Sequence, residues 1–150
     1  HHAGGDHFHA GGKHWHSQDD PEWQILAAWV NGATKPLATG VRVLQSNSAG
    51  DDIHIIDPAT NRVVARIDGI EVPHGLVLSP DGRRLYITNE ALVTLDVVDA
   101  ANLRIIHRIP LSGRPNNVDV SLDGNYVYVG IRQGDGAVDI IDTARNRNIR

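Results

Sequence analysis

The chain has 150 residues, 41% of them hydrophobic, with 14 basic and 18 acidic side chains and a formal net charge of -4 when its nine His are neutral. That is the composition of an ordinary folded domain, and it holds no surplus of positive charge to neutralise a phosphate backbone, so no nucleic-acid partner is expected. The longest apolar run, Ile25 to Val30, is six residues, whereas a spanning helix needs roughly 20 and a signal h-region roughly 7 to 15, so neither a membrane span nor a targeting segment is expected.

The chain contains no Cys, which excludes disulfides, thiolate metal sites, cysteine nucleophiles and covalent haem attachment by these residues. Any metal must use His, carboxylate or carbonyl groups. It also contains no Met, so it is expected to be a processed form or a segment of something longer.

In chain order, the first segment, His1 to Ser17, holds six of the nine His among Gly and Ala neighbours that discourage regular structure. His7 and His9, and His14 and His16, are pairs separated by one residue. In an extended chain such a pair points the same way, which makes the four a candidate metal site suited to copper or zinc; the plainer alternative is a mobile Gly/His-rich terminus. A helix is expected next. Asp20 can cap its free amides, Pro21 suits the first helical position, and Glu22 favours the positive end of the dipole. Trp23, Leu26 and Val30, with Ile25 and Trp29 beside them, form its apolar face, and Gly32 ends it. Residues 33 to 40, with Lys35-Pro36, read as a linker.

From about residue 41 the sequence repeats itself, which identifies an architecture before any local reading does. Ser79-Pro80-Asp81-Gly82 recurs 42 residues later as Ser121-Leu122-Asp123-Gly124, Val72-Pro73-His74 as Arg114-Pro115-Asn116, and Tyr86 as Tyr128. Ile53-His54-Ile55-Ile56-Asp57, Leu95-Asp96-Val97-Val98-Asp99 and Val138-Asp139-Ile140-Ile141-Asp142 form a second series, spaced by 42 and then 43, the extra residue falling in Gly134-Asp135-Gly136. Each unit is a set of short Val, Ile and Tyr-rich segments bounded by Gly, Pro, Asn and Asp, the pattern of strands joined by turns. Four strands are expected in the complete unit, at about Gly75 to Ser79, Arg84 to Asn89, Leu92 to Asp99 and Leu103 to Ile109. Asp81-Gly82 and Asp123-Gly124 are expected to be tight two-residue hairpin turns. Four strands per 42 residues is a propeller blade. The expected fold class is therefore all-β: a partial β-propeller of four-stranded antiparallel blades over 41 to 150, with one complete blade, two partial ones, and a short N-terminal helix. Propellers have about 4 to 8 blades, so the remaining blades are expected from a parent chain or from other protein subunits.

The run Ser79-Pro80-Asp81-Gly82-Arg83-Arg84-Leu85-Tyr86-Ile87-Thr88-Asn89 resembles the repeat of the YVTN β-propeller family, and Leu95 to Asp99 and Arg104 to Pro110 are similar to that family's third and fourth strands. The third unit departs, with Gly130-Ile131 where Thr-Asn would stand. The family includes scaffolds, surface proteins and relatives of lactonases and of haem-bearing nitrite reductase propellers, so the resemblance speaks to fold more than to chemistry. Gly11-Gly12-Lys13-His14-Trp15 and the stretch from Asp19 to Ala33 are similar to the closing part of a bacterial c-type cytochrome domain. This second resemblance makes residues 1 to 32 the tail of such a domain, whose haem c would be held by a segment upstream of His1. Together the two imply a periplasmic or extracellular bacterial protein.

In a propeller, the innermost strand of each blade begins where the connection from the previous blade reaches the central channel. The repeat register puts His74 there in one blade and Asn116 in the next. The neighbouring loops of that face hold Ser46, Asn47, Asn89, Glu90, Arg114, Asn117, Arg132 and Gln133. Such a face is the default binding surface, and His74, Asn116, Asn47, Asn89 and Arg114 are the candidate ligand contacts, weighed against hydrated channel lining. Gly134-x-Gly136 reads as a hairpin connection, since Asp139 stands where a dinucleotide loop has its third Gly. Asp51-Asp52 and Asp81 read as solvated turns, the twelve-residue calcium pattern being absent. No nucleophile-elbow context supports a hydrolase triad. The function expected is a binding or scaffold module associated with a c-type cytochrome in an electron-transfer or larger assembly. The alternative is an oxidoreductase or lactonase-like enzyme whose active site, with His74 among its ligands, lies in the channel of a completed propeller.

Overall fold

A computed structural model describes residues 40 to 150, together with Asp19 and Gln24. The chain divides into two compact units, His1–Thr39 and Gly40–Arg150, and the second is the one described below. The expected helix at Pro21 to Gly32 and the four candidate metal ligands His7, His9, His14 and His16 lie outside the described residues, Gln24 excepted.

The second unit is all-β. Blade 1 contains β1 (Val43–Ser46), β2 (Asp52–Asp57) and β3 (Arg62–Asp68), paired in that order. Blade 2 is complete, with β4 (Pro73–Leu78), β5 (Arg84–Asn89), β6 (Thr94–Asp99) and β7 (Arg104–Pro110). Blade 3 contains β8 (Pro115–Val120), β9 (Tyr126–Ile131), β10 (Ala137–Asp142) and the two-residue β11 (Arg147–Asn148). Every pairing is antiparallel between consecutive strands. Three successive meanders on one register, packed face to face, make a partial β-propeller.

The repeat extends to the irregularities. The third and fourth strands slip register between Ile55 and Ile56 in blade 1 and, 42 residues on, between Val97 and Val98 in blade 2. The first two strands of blades 2 and 3 slip between Pro73 and Leu76 and between Pro115 and Val118. Gly75 lies in the first of these slips because β4 runs hard against β8: a Cβ there would come within 2.7 Å of the Asn116 carbonyl oxygen. Alternation sends one side of each sheet to each neighbour, giving two interfaces. Ile53, Ile55 and Ile67 of blade 1 meet Leu85, Ile87 and Val98 of blade 2. Tyr86, Leu95, Val97 and Ile109 of blade 2 meet Val127, Val129, Ile131 and Ile141 of blade 3.

The hairpins fall at Asp81-Gly82 and Asp123-Gly124, but they are longer than the two residues expected. The Ser79 amide bonds the Arg84 carbonyl at 2.8 Å, enclosing four residues, and the Gly82 amide bonds the Ser79 carbonyl at 2.9 Å. Local side-chain bonds favour this wider turn. Ser79 Oγ donates to Asp81 Oδ1 at 2.6 Å and accepts from the Arg84 amide at 2.9 Å, while Asp81 Oδ1 also accepts from the Arg83 amide. Ser121, Asp123, Asn125 and Tyr126 reproduce the pattern, and Gly82 and Gly124 share a φ of +72°.

A side-chain latch joins each blade to the next. Ser46 Oγ at the end of β1 donates to the His74 carbonyl at 2.8 Å, and Thr88 Oγ1, one repeat later, donates to the Asn116 carbonyl at 2.9 Å. Gly130 occupies that place in blade 3.

Candidate functional site at the loop face of blades 2 and 3

His74 is the second residue of β4, and its backbone is held by the Ser46 latch. Its Nε2 lies 2.5 Å from Oε2 of Glu90, in the loop between β5 and β6. The other oxygen of Glu90 accepts a hydrogen bond of 2.5 Å from Arg132 Nη2, and Arg114 Nη1 stands 3.9 Å from it. Three side chains, from two loops and one strand start, thus converge on one nearly buried carboxylate. The hydrogen bond from Arg132, helped by that from His74, holds the Glu90 carboxyl below the usual range despite the desolvation that opposes it. An ionised Glu90 is an acceptor only, so His74 Nε2 is the donor in this contact and Nδ1 is the other ring nitrogen. Among the described residues Nδ1 has no hydrogen-bond partner, and the ring is half-buried at the surface.

The backbone around this pair is strained. Val72, two residues before His74, has a φ of +50°, and Val93, which closes the Glu90 loop, has a φ of +56°. A β-branched residue in the left-handed region costs on the order of 1 to 3 kcal/mol and persists only where the surroundings impose it. Here the Val72 carbonyl accepts from the Glu90 amide and the Val93 carbonyl from the Leu111 amide, which fixes both loops. Gly136 takes the place of Val93 in blade 3, with a φ of +79°. The two left-handed valines therefore flank the one His–Glu pair of this face.

The five channel-face candidates divide. His74 and Arg114 belong to the cluster. Asn116 occupies the His74 position of blade 3; its carbonyl takes the Thr88 latch and its side chain is half-buried. Asn89 is fully buried and internally committed, its Nδ2 donating to Asp96 at 3.0 Å and its Oδ1 accepting from the Leu92 amide at 3.0 Å, so its side chain is closed to a ligand. Asn47 donates to Asp52 at 2.7 Å and accepts from Gln45, and its bond is the chief cause of a lowered Asp52 carboxyl. Asn89 thus serves the loop that carries Glu90, whereas Asn47 serves the β1–β2 connection of blade 1. The hub, Glu90, was visible only as one loop residue among several. Its signal in the sequence is that Glu90 and Arg132 are opposite charges one repeat apart.

A cleft of about 280 Å³ lined by Ser79, Asp81, Arg84, Tyr86, Asp123 and Thr143 lies at the opposite ends of the strands, between the hairpins of blades 2 and 3. It is separate from the His74 cluster. Among the described residues no three His, Cys, Asp or Glu side chains are grouped to hold a bare metal ion, and no helix is long and apolar enough to cross a membrane.

This chain is a run of β-propeller blades. Its fold is similar to that of a chain of Kuenenia stuttgartiensis hydrazine synthase, with a TM-score of 0.69 and 28% identity, over 74% of this chain and 32% of that one. It is also similar in fold to the dihydro-heme d1 dehydrogenase NirN in complex with DHE, with a TM-score of 0.60 and 21% identity, over 79% of this chain and 26% of that one. The chain thus spans about a third or less of the length of these two. No protein-family model matches it, and no curated protein sequence is significantly similar.

Proposed function

We propose that the chain is a binding and scaffold module: consecutive blades of an extracytoplasmic bacterial propeller, working beside a c-type cytochrome in an electron-transfer or larger multi-subunit assembly. The observation that carries this reading is the likeness to a hydrazine synthase chain across three quarters of the sequence. The second likeness, to a dehydrogenase of dihydro-heme d1, supports a redox setting. A chain without Cys cannot itself attach haem c, so in this reading the haem belongs to an upstream segment or a partner, and the propeller supplies surface. The resemblance to YVTN repeats and to a cytochrome tail is consistent with this placement.

A second reading is favoured by the His74–Glu90 pair. It makes the loop face an active site of a completed propeller, with His74 as base or ligand through Nδ1 and Glu90 as the group that orients it. The assembly containing this chain, isolated from its source, decides between them. Under the first reading it carries covalently bound haem by stain and visible spectrum, and His74→Ala leaves assembly and spectrum unchanged. A colourless assembly whose turnover disappears in His74→Ala would overturn it in favour of the second.

A further inference from the structure

The cleft between the hairpins of blades 2 and 3 lies at the strand ends opposite the His74 cluster, and it holds two polar groups that the protein leaves without partners. Arg84 and Tyr86, two residues apart on β5, share the face that blade 2 turns to blade 3, and both line the cleft. Tyr86 is 2% exposed, and its ring belongs to the apolar interface with Val127 and Val129. Its hydroxyl bonds no described residue. Among those residues the only side-chain oxygen or nitrogen sealed in without a partner is Asn146 Oδ1, so the Tyr86 hydroxyl opens onto the cleft. Arg84 is half-buried and makes no ion pair with a described residue; one N–H of its guanidinium donates to the Thr143 carbonyl at 3.2 Å, and the rest meet no described acceptor. A few convergent polar groups in a concave site are what orient a bound molecule.

The repeat supplies a control. Between blades 1 and 2 the positions of Arg84, Tyr86 and Thr143 are held by Arg42, Leu44 and Ala100. There Leu44 joins the apolar packing, and Arg42 turns to the Val41 carbonyl at 2.7 Å and to Asp57 at 4.0 Å. Arg84 makes no such pair with Asp99, the counterpart of Asp57, and reaches across to blade 3 instead. Packing one blade on the next therefore needs neither the hydroxyl nor the free guanidinium.

The walls of the cleft carry both signs, Asp81 and Asp123 from the two hairpins together with Arg83 and Arg84. Hydrogen bonds from Ser79 and Ser121 hold the two carboxyls below the usual range, so both are ionised at neutral pH. Pro80 and Gly124 bring the hairpins together, a Cβ on Gly124 coming 3.5 Å from Pro80 Cδ. Such a site offers a simple dianion as much repulsion as attraction, whereas a molecule bearing both charges satisfies both. We propose that the cleft binds a small free α-amino acid, its carboxylate held by Arg84 and Tyr86 and its ammonium by Asp81 and Asp123. A guanidinium suits a carboxylate because its parallel N–H groups meet both oxygens. The volume of about 280 Å³ is at the lower end for ligand pockets, in keeping with a small molecule.

The full chain is titrated with L-alanine, with acetate and methylammonium, which carry its two charged ends one at a time, and with inorganic phosphate. Nitrogen-edited NMR follows the Arg84 side chain and the Gly124 amide. L-alanine should shift both signals saturably, and each of the other three should bind at least about tenfold more weakly. Tyr86→Phe removes only a hydroxyl that has no partner in the protein, so it should weaken L-alanine binding about tenfold while the urea midpoint stays that of the wild type. Arg84→Gln should abolish the Gly124 shift with the strand signal of circular dichroism retained. The proposal is overturned by the absence of a saturable Arg84 shift, by acetate or phosphate binding as tightly as L-alanine, or by a Gly124 shift that persists in Arg84→Gln. It is equally overturned if Tyr86→Phe binds L-alanine like the wild type or lowers the urea midpoint.

Discussion

Blades 2 and 3 each bury an aspartate completely at the same place on the third strand, and they satisfy it with different partners. Asp96 receives Asn89 Nδ2 at 3.0 Å and Thr94 Oγ1 at 2.6 Å, with Arg108 Nε at 3.4 Å. Asp139 receives the Ser112 amide and hydroxyl, both at 2.7 Å, and Asn148 Nδ2 at 2.8 Å, with Arg150 Nη1 at 3.4 Å. Ile131 stands where Asn89 would be and joins the apolar interface instead. A buried carboxylate needs a full set of donors, but the repeat leaves open which strand or connection supplies them. The choice has a local effect, because Asn89 in blade 2 also caps the loop that carries Glu90. Blade 3, without that cap, closes its loop with one more residue and two glycines. Blade 1 differs again: His54 takes the aspartate's place and the carboxylate moves two residues back to Asp52, which holds Asn47, His54 and, at 3.8 Å, Arg66.

The largest effect expected concerns the same residue in two settings. Tyr86→Ala should cost about 3 to 5 kcal/mol, as large aromatic truncations in a packed core do, and Tyr128→Ala less than about 1 kcal/mol in dilute solution. Urea denaturation of this chain measures both, and similar losses would mean that Tyr128, 40% exposed, is packed as firmly as Tyr86 at 2%. Next come the aspartate partners. Asn89→Ala removes the hydrogen bond to a buried carboxylate oxygen, leaving it only the ion-pair contact with Arg108, and frees an amide of the Glu90 loop, for about 2 to 3 kcal/mol, whereas Ser112→Ala keeps the backbone donor to Asp139 and should cost about 1 kcal/mol. If Ser112→Ala proves the more damaging, the donor sets are ranked wrongly.

The smallest effect is electrostatic, since Arg132 and Arg114 are half or more exposed. The Glu90 carboxyl is lower in the folded chain than in the unfolded one. Its ionised pairing therefore stabilises the fold above the unfolded-state value of about 4.3 and is lost as pH falls through the folded value. Glu90→Gln removes that contribution, so wild type should exceed the variant in stability at neutral pH, and the gap should narrow as pH falls below the unfolded-state value of about 4.3 and close once the folded carboxyl is protonated. A gap that stays constant as the pH is lowered through and below that value, followed by thermal melts, would show that Glu90 acts through packing alone.

The repeat made most of the fold legible. β5 runs over Arg84–Asn89 as expected, and the two partial blades lie where the 42-residue offset places them. β6 starts at Thr94 and not at Leu92 because Val93 turns into the left-handed region, a conformation that nothing in a β-branched residue announces. The hairpins ran long because Ser79 and Asp81 bond their own backbone, a competition that the Asp-Gly pair alone does not reveal. The site was half legible. His74 and Arg114 follow from the register, but polar residues in loops look alike in sequence whether they face inward, as Asn89 does, or gather around a charge, as Glu90's partners do. That difference arises between blades, where residues one repeat apart become neighbours.

The Ser46 and Thr88 latches have a bearing on how such a chain is assembled over evolutionary time. Each latch asks for a hydroxyl on one strand and, on the next blade, only for a main-chain carbonyl, which every residue possesses. A duplicated blade therefore arrives already compatible with its neighbour, and no second, compensating substitution has to accompany it. Side chains such as His74, Asn116, Glu90 and Arg132 are left free to diverge from one copy to the next, so the joint can be inherited unchanged while the face it supports is rewritten.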